Sequence, residues 1–93
     1  MIEFSQVGFN GQKSLIIKNE AASAQILLQG AHVVSFVPQN GREMFWLSPM
    51  SIFEAGIAVR GGIPICWPWF GAHPVDPWKP AHGFARISEW TYS

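Results

Sequence analysis

Five of the seven prolines lie between Pro64 and Pro80, interleaved with Trp67, Trp69, Phe70 and Trp78. Proline has no backbone N–H and a fixed φ, so this stretch is neither a helix interior nor a central strand. Regular structure must come from the rest of the chain. An ordered, aromatic-rich loop of this length is usually functional rather than a linker.

The first half supplies strand signals and almost no helix signals. Ile2-Glu3-Phe4 alternates, and Phe9-Asn10-Gly11-Gln12 supplies a turn. Residues 14–18 (Ser-Leu-Ile-Ile-Lys) and 25–29 (Gln-Ile-Leu-Leu-Gln) are short apolar runs with polar ends, a pattern of buried or weakly alternating strands. Ala21-Ala22-Ser23-Ala24 tolerates a helix but is too short to nucleate one. Gly30 breaks the run, and residues 32–37 (His-Val-Val-Ser-Phe-Val) follow with strong β propensity. Pro38-Gln39-Asn40-Gly41 reads as a tight turn, which makes residues 43–47 (Glu-Met-Phe-Trp-Leu) the expected returning strand. Residues 86–92 also alternate, and they predict a final strand. The expectation is an all-β chain.

Composition sharpens that expectation. Apolar residues make up 48% of the 93 residues, but charged ones only 13%. So little charge wets a free-standing surface poorly. Either the chain is an unusually sticky monomer or it is a piece of something larger whose missing part covers apolar surface; the second is favoured, and such a piece has open strand edges and an uncovered apolar face. We expect the isolated chain to self-associate. Six basic and six acidic side chains cancel, leaving no electrostatic footprint for nucleic acid. No apolar run is long enough for a membrane span, and no charged-then-apolar leader follows Met1. The single cysteine, Cys66, cannot form an internal disulfide, and with the missing leader it points to a cytoplasmic protein.

Two clusters carry candidate chemistry. In Arg60-Gly61-Gly62 the glycines free the backbone for a sharp turn and close approach, while Arg60 offers a planar fork to phosphate or carboxylate oxygens. The same tripeptide fits a β-bulge with Arg60 paired to a carboxylate. In His82-Gly83-Phe84-Ala85-Arg86 the histidine sits at the end of the proline-rich loop, where it could donate to a sugar hydroxyl or move a proton. Arg86 could join Arg60 on an anion. The alternative makes His82 a turn cap and Arg86 a surface cation. Trp67 and its neighbours offer flat faces to sugar rings, or simply core. His73 is a weaker candidate for lining the same cleft. His32, in an apolar run, reads as a satisfied structural histidine. Cys66, His73 and His82 lack zinc-site spacing, so no metal is expected.

Residues 57–71 (Ile-Ala-Val-Arg-Gly-Gly-Ile-Pro-Ile-Cys-Trp-Pro-Trp-Phe-Gly), followed by residues 80–86 (Pro-Ala-His-Gly-Phe-Ala-Arg), form a specific ordered pair of motifs. The pair resembles the hexose-6-phosphate mutarotases (glucose-6-phosphate 1-epimerases) of the aldose 1-epimerase superfamily. Gly30-Ala31-His32-Val33-Val34-Ser35-Phe36 and Phe45-Trp46-Leu47-Ser48 extend the likeness over nearly the whole chain. The resemblance implies that residues 1–93 are the N-terminal segment of a larger galactose mutarotase-like β-sandwich, cut short. It implies interconversion of α and β anomers of hexose 6-phosphates without a cofactor. In that chemistry a glutamate takes the anomeric proton and a histidine protonates the ring oxygen. By resemblance Arg60 and Arg86 contact the phosphate and His82 binds the sugar near its reacting end, the catalytic candidate of this segment; Gly61, Gly62, Trp67 and His73, from their own chemistry, are expected to bind substrate beside them. The general-base glutamate and principal acid histidine of that family lie on later strands, and none of Glu3, Glu20, Glu43, Glu54 or Glu89 sits in a matching motif. The fragment alone is therefore expected to be inactive. The rival expectations are a carbohydrate-binding module without catalysis and an inactive, self-associating β fragment.

Overall fold

Asn10 and Gly11 take positive φ angles of 50° and 84°, and they close a hairpin in which Phe9 faces Gln12. Those angles match the right-handed twist of the flanking strands. A computed structural model describes residues 2–93 and builds a four-stranded antiparallel meander from this start. Its strands are β1 (Glu3–Phe9), β2 (Gln12–Lys18), β3 (Ala22–Leu27) and β4 (His32–Pro38), in sheet order β1-β2-β3-β4. The Ala21–Ala24 patch therefore feeds a strand, not a helix. A register shift between Gln25 and Ile26 bends the β3–β4 pairing.

The sheet is pinned by polar side chains as well as by its ladder. Ser14 is fully buried; its hydroxyl donates to the Val7 carbonyl at 3.0 Å and accepts from Gln25 Nε2 at 2.9 Å. That partnering removes the cost of burying a hydroxyl. Asn19 Oδ1 accepts from the Ala21 and Ala22 amides and so rounds the β2–β3 turn. Leu27, Val34 and Val59 form the buried cluster, with Phe9, Leu47 and Phe53 packed on it. Val59 is the important member, because it anchors the long second segment to the sheet two residues before Gly61.

Two expected strands are not formed. Residues 43–47 run beside β4, but only Met44 N donates to a strand carbonyl there, that of Phe36, at 2.9 Å. The Phe36 amide is taken by the Glu43 carboxylate at 2.8 Å, and Ser35 Oγ donates to the same carboxylate. A side chain thus fills the place of a backbone carbonyl, and the ladder stops. Residues 86–92 fail differently. Ala85–Ile87 is a 3₁₀ turn, and Glu89 makes a single bridge to Gln29. Gly30 N donates to Ser88 O and Trp90 N to Leu28 O, both at 2.7 Å. Gly30 and Ala31 then turn away with φ of 80° and 45°, so the pairing cannot lengthen. Among the described residues no helix is long and apolar enough to cross a membrane.

Candidate functional site

The turn at Arg60-Gly61-Gly62 is gripped from both sides. On one side Ser48 N donates to Arg60 O at 2.9 Å, and Gly62 N donates to Trp46 O at 3.0 Å. The Ser51 hydroxyl accepts from Arg60 N and donates to Arg60 O, each at 3.2 Å. On the β4 side Ile63 N donates to Val33 O at 2.9 Å. His32 Nε2 lies 2.5 Å from Gly61 O. A carbonyl only accepts, so Nε2 carries the proton. Gly61 and Gly62 take φ of 112° and 62°, and a Cβ on either would fall 2.1 Å from Trp46 O or 2.2 Å from Val33 O. The crowding that demands glycine here comes from the chain's own carbonyls.

This turn presents Arg60 to a groove of about 360 Å³ that Arg86 also lines. Met50, Ile52, Gly56, Ile57, Ala58, Pro80 and Ile87 complete its walls. Arg60 and Arg86 both line this space and no carboxylate does, so it carries positive charge with no acidic side chain to cancel it. Arg86 is held from the 3₁₀ turn, with Nη2 donating to Ala81 O at 3.1 Å. Its Nε is buried and has no hydrogen-bond partner among the described residues. The structure thus brings Arg60 and Arg86, one from each motif, to one groove.

The remaining candidates, Gly61, Gly62, Trp67, His73 and His82, are not among the residues that line this groove. His82 takes a positive φ of 65° and exchanges bonds with Gly71: its amide donates to Gly71 O at 2.8 Å, and its Nδ1 accepts from Gly71 N at 3.0 Å. With Nδ1 an acceptor, the neutral ring must carry its proton on Nε2. Phe70 meets the ring edge-on at 4.8 Å. Trp67 lies against the same corner, its carbonyl accepting from Phe84 N at 2.9 Å and Ala85 N at 3.0 Å, while the residue as a whole is 67% exposed. His73 is turned inward on its own loop. Its Nδ1 accepts from Val75 N at 3.1 Å and Asp76 N at 2.8 Å, and its ring packs edge-on to Trp69 at 4.5 Å.

Two positioning side chains are not legible from sequence. Gln29 reaches across to the loop over 54–57: its Nε2 donates to Ile57 O at 2.7 Å and its Oε1 accepts from Gly56 N at 2.9 Å. It thereby fixes one wall of the groove. Ser51 clamps the Arg60 main chain as described. Nothing in the local pattern marks either residue, because the partners are remote in sequence or are backbone atoms. His32, read as a structural histidine, is indeed 1% exposed and hydrogen-bonded.

Residues 13–93 match the family described as aldose 1-epimerase. A protein of Escherichia coli provisionally named a glucose-6-phosphate 1-epimerase is 44% identical over 77 residues, which is 83% of this chain and 26% of that protein. One of Salmonella typhimurium with the same provisional name is 43% identical over 76 residues, covering 82% of this chain and 26% of its own length. A crystal structure of a provisionally assigned mutarotase from Salmonella typhimurium superposes with a TM-score of 0.86 at 39% identity, over 95% of this chain and 30% of that one. The chain spans about a quarter of the length of the curated relatives it matches.

Proposed function

The chain belongs to the aldose 1-epimerase family, and from that membership we propose that it contributes the phosphate- and sugar-binding wall of a hexose-6-phosphate mutarotase. The observation that carries the reading is that Arg60 and Arg86 line one groove. A dianionic phosphate would accept charge-assisted bonds from both guanidiniums. His82, one residue beyond the Ala81 carbonyl that Arg86 holds, would offer Nε2–H to a sugar oxygen, with its tautomer set by Gly71. Trp67 would stack on the apolar face of the sugar.

The groove walls hold no carboxylate. Taking a proton from an anomeric hydroxyl needs a base within hydrogen-bond reach. The base is therefore assigned to residues outside this chain, and residues 1–93 to the binding half of one larger sandwich. Exposed aromatic residues agree with apolar surface left for another part to cover: Phe70 is 81% exposed and Trp78 93%. The same lack of a base supports a second reading, a carbohydrate-binding module without catalysis. For the chain in isolation we propose self-association through exposed strand edges.

The test follows the exchange of glucose 6-phosphate anomers by NMR in the full-length protein. Arg60→Ala and Arg86→Ala should each slow anomer exchange of glucose 6-phosphate about tenfold more than that of glucose, the loss of one charge-assisted contact. Equal losses on both sugars would make the arginines structural. Binding of the phosphate sugar without any exchange would favour the binding module.

A further inference from the structure

His32 is more deeply buried than a bystander to the groove needs to be. It opens β4, where it pairs with Leu27, and it is 1% exposed. Its proton goes to the Gly61 carbonyl, one residue beyond Arg60. Gly62 comes so close that an added Cβ would sit 3.1 Å from His32 Nε2. The two peptide units after Arg60 are thus fixed separately. Ser48 and Ser51 hold the Arg60 carbonyl, while His32 holds the Gly61 carbonyl. The groove's other cation reaches the same ring. Burial lowers the basicity of His32, the bond to Gly61 O works against that, and the charge of Arg86 lowers it further. The ring therefore touches the Arg60 turn through a hydrogen bond and senses Arg86 through its field.

We propose that His32 is a positioning residue of the anion groove, acting through the Gly61 carbonyl to aim Arg60 at the ligand shared with Arg86. The proposal rests on the groove being an anion site. It adds a residue that does not line the groove and makes no contact with the ligand. An imidazole suits the task because it supplies a rigid donor at a fixed reach from the strand. An apolar residue of similar size fills the space but leaves Gly61 O without its partner, so one of the bonds that set the orientation of the peptide after Arg60 is lost while the others remain. A second consequence follows from the field of Arg86. An anion that neutralises Arg86 relieves the repulsion on the imidazole, so the ring should protonate more readily when the groove is filled.

The experiment titrates inorganic phosphate into the full chain, reading affinity from backbone amide shifts and protonation from the ring nitrogens of His32. His32→Leu should weaken phosphate binding about tenfold, and His32→Gln, which returns an N–H at similar reach, should recover affinity to within about threefold of the parent. In the parent, phosphate should raise the pH at which the His32 ring titrates. The proposal is overturned if His32→Leu, folded by circular dichroism, binds phosphate as tightly as the parent. Equal losses in His32→Leu and a folded His32→Gln also overturn it, because side-chain packing and not the bond would then matter. Should His32→Leu fail to fold, the ring titration and His32→Gln decide: no ring response to phosphate, with affinity lost in folded His32→Gln, overturns the proposal. Arg60→Ala and Arg86→Ala separate the two claims. If they leave phosphate binding intact, the groove itself is not the anion site; if they abolish it while His32→Leu does not, only the role of His32 falls.

Discussion

The sheet over Glu3–Pro38 and the segment that follows it are held together by different physics. In the sheet each strand is paired along its length, and local turn chemistry sets the register. In the second segment regular pairing is reduced to isolated bridges, such as Leu47 with Gly61 and Trp67 with Gly83. There the chain is fixed by side chains that grip backbone groups and by backbone crossings too tight for a Cβ. A ladder tolerates a change at one rung. A crossing does not, and the candidate site lies where crossings dominate.

Glycine substitution breaks or sharpens that contrast most strongly. Gly8 lies in β1 with nothing within 4 Å of a built Cβ, whereas Gly61 would place one 2.1 Å from the Trp46 carbonyl at a φ of 112°. Gly61→Ala should cost about 3 kcal/mol, combining backbone strain with a clash against main chain that cannot yield. Gly8→Ala should change stability by less than about 0.5 kcal/mol. Urea midpoints of the two variants check this. Similar midpoints would mean that the second segment yields as readily as the sheet.

The same division governs what could be read from sequence. The Asn10-Gly11 turn and β4 were legible because a strand and its turn announce themselves within a few residues. The irregular course of residues 64–80 was equally legible from proline. The strands expected over 43–47 and 86–92 were not formed, because alternation records propensity but not whether a partner ladder is open. At 43–47 the Glu43 side chain had already occupied the rung, a fact no propensity scale contains. The pairing of Arg60 with Arg86 was visible only as two motifs in order. Their meeting in one groove depends on Val59, Gln29 and Ser51, whose contacts are remote in sequence.

Acidity gives a smaller, graded test at the boundary between the two regions. Desolvation pushes the Glu43 carboxyl up, but bonds from Ser35, Phe36, Phe45 and Met44 outweigh it and hold the group below the ordinary carboxylate range. A depressed carboxylate stabilises the fold above its unfolded pKa, and that stability is lost as pH falls through the folded value. His32, also depressed, contributes earlier. Its unfolded form takes a proton as pH drops below about 6.5 while the buried ring resists, so stability declines from there. Melting should therefore weaken in two stages on acidification. Glu43→Gln should remove the lower stage only, at a cost near neutral pH of about 1 kcal/mol, because Glu43 is exposed and its bonds are screened. A single stage abolished by Glu43→Gln would show that His32 is not held neutral by burial.

The smallest expected effect concerns the one ion pair recorded between the two regions among the described residues, Lys13 Nζ on β2 to Glu89 Oε2 at 3.8 Å. Both side chains are about three-fifths exposed, at 62% and 60%. At that exposure the attraction is screened by water and salt and offset by the entropy of holding two long side chains still. The neighbouring contacts, from Gly30 N to Ser88 O and from Trp90 N to Leu28 O, are backbone bonds that do not depend on either charge. Lys13→Ala should therefore shift stability by no more than about 0.5 kcal/mol, and the shift should vanish in 0.5 M salt, where the screening length falls to about 4 Å. Thermal melts of the variant at low and high salt measure both quantities. A salt-sensitive loss several times larger would mean that the second segment is docked to the sheet by charge, and that the backbone crossings merely follow.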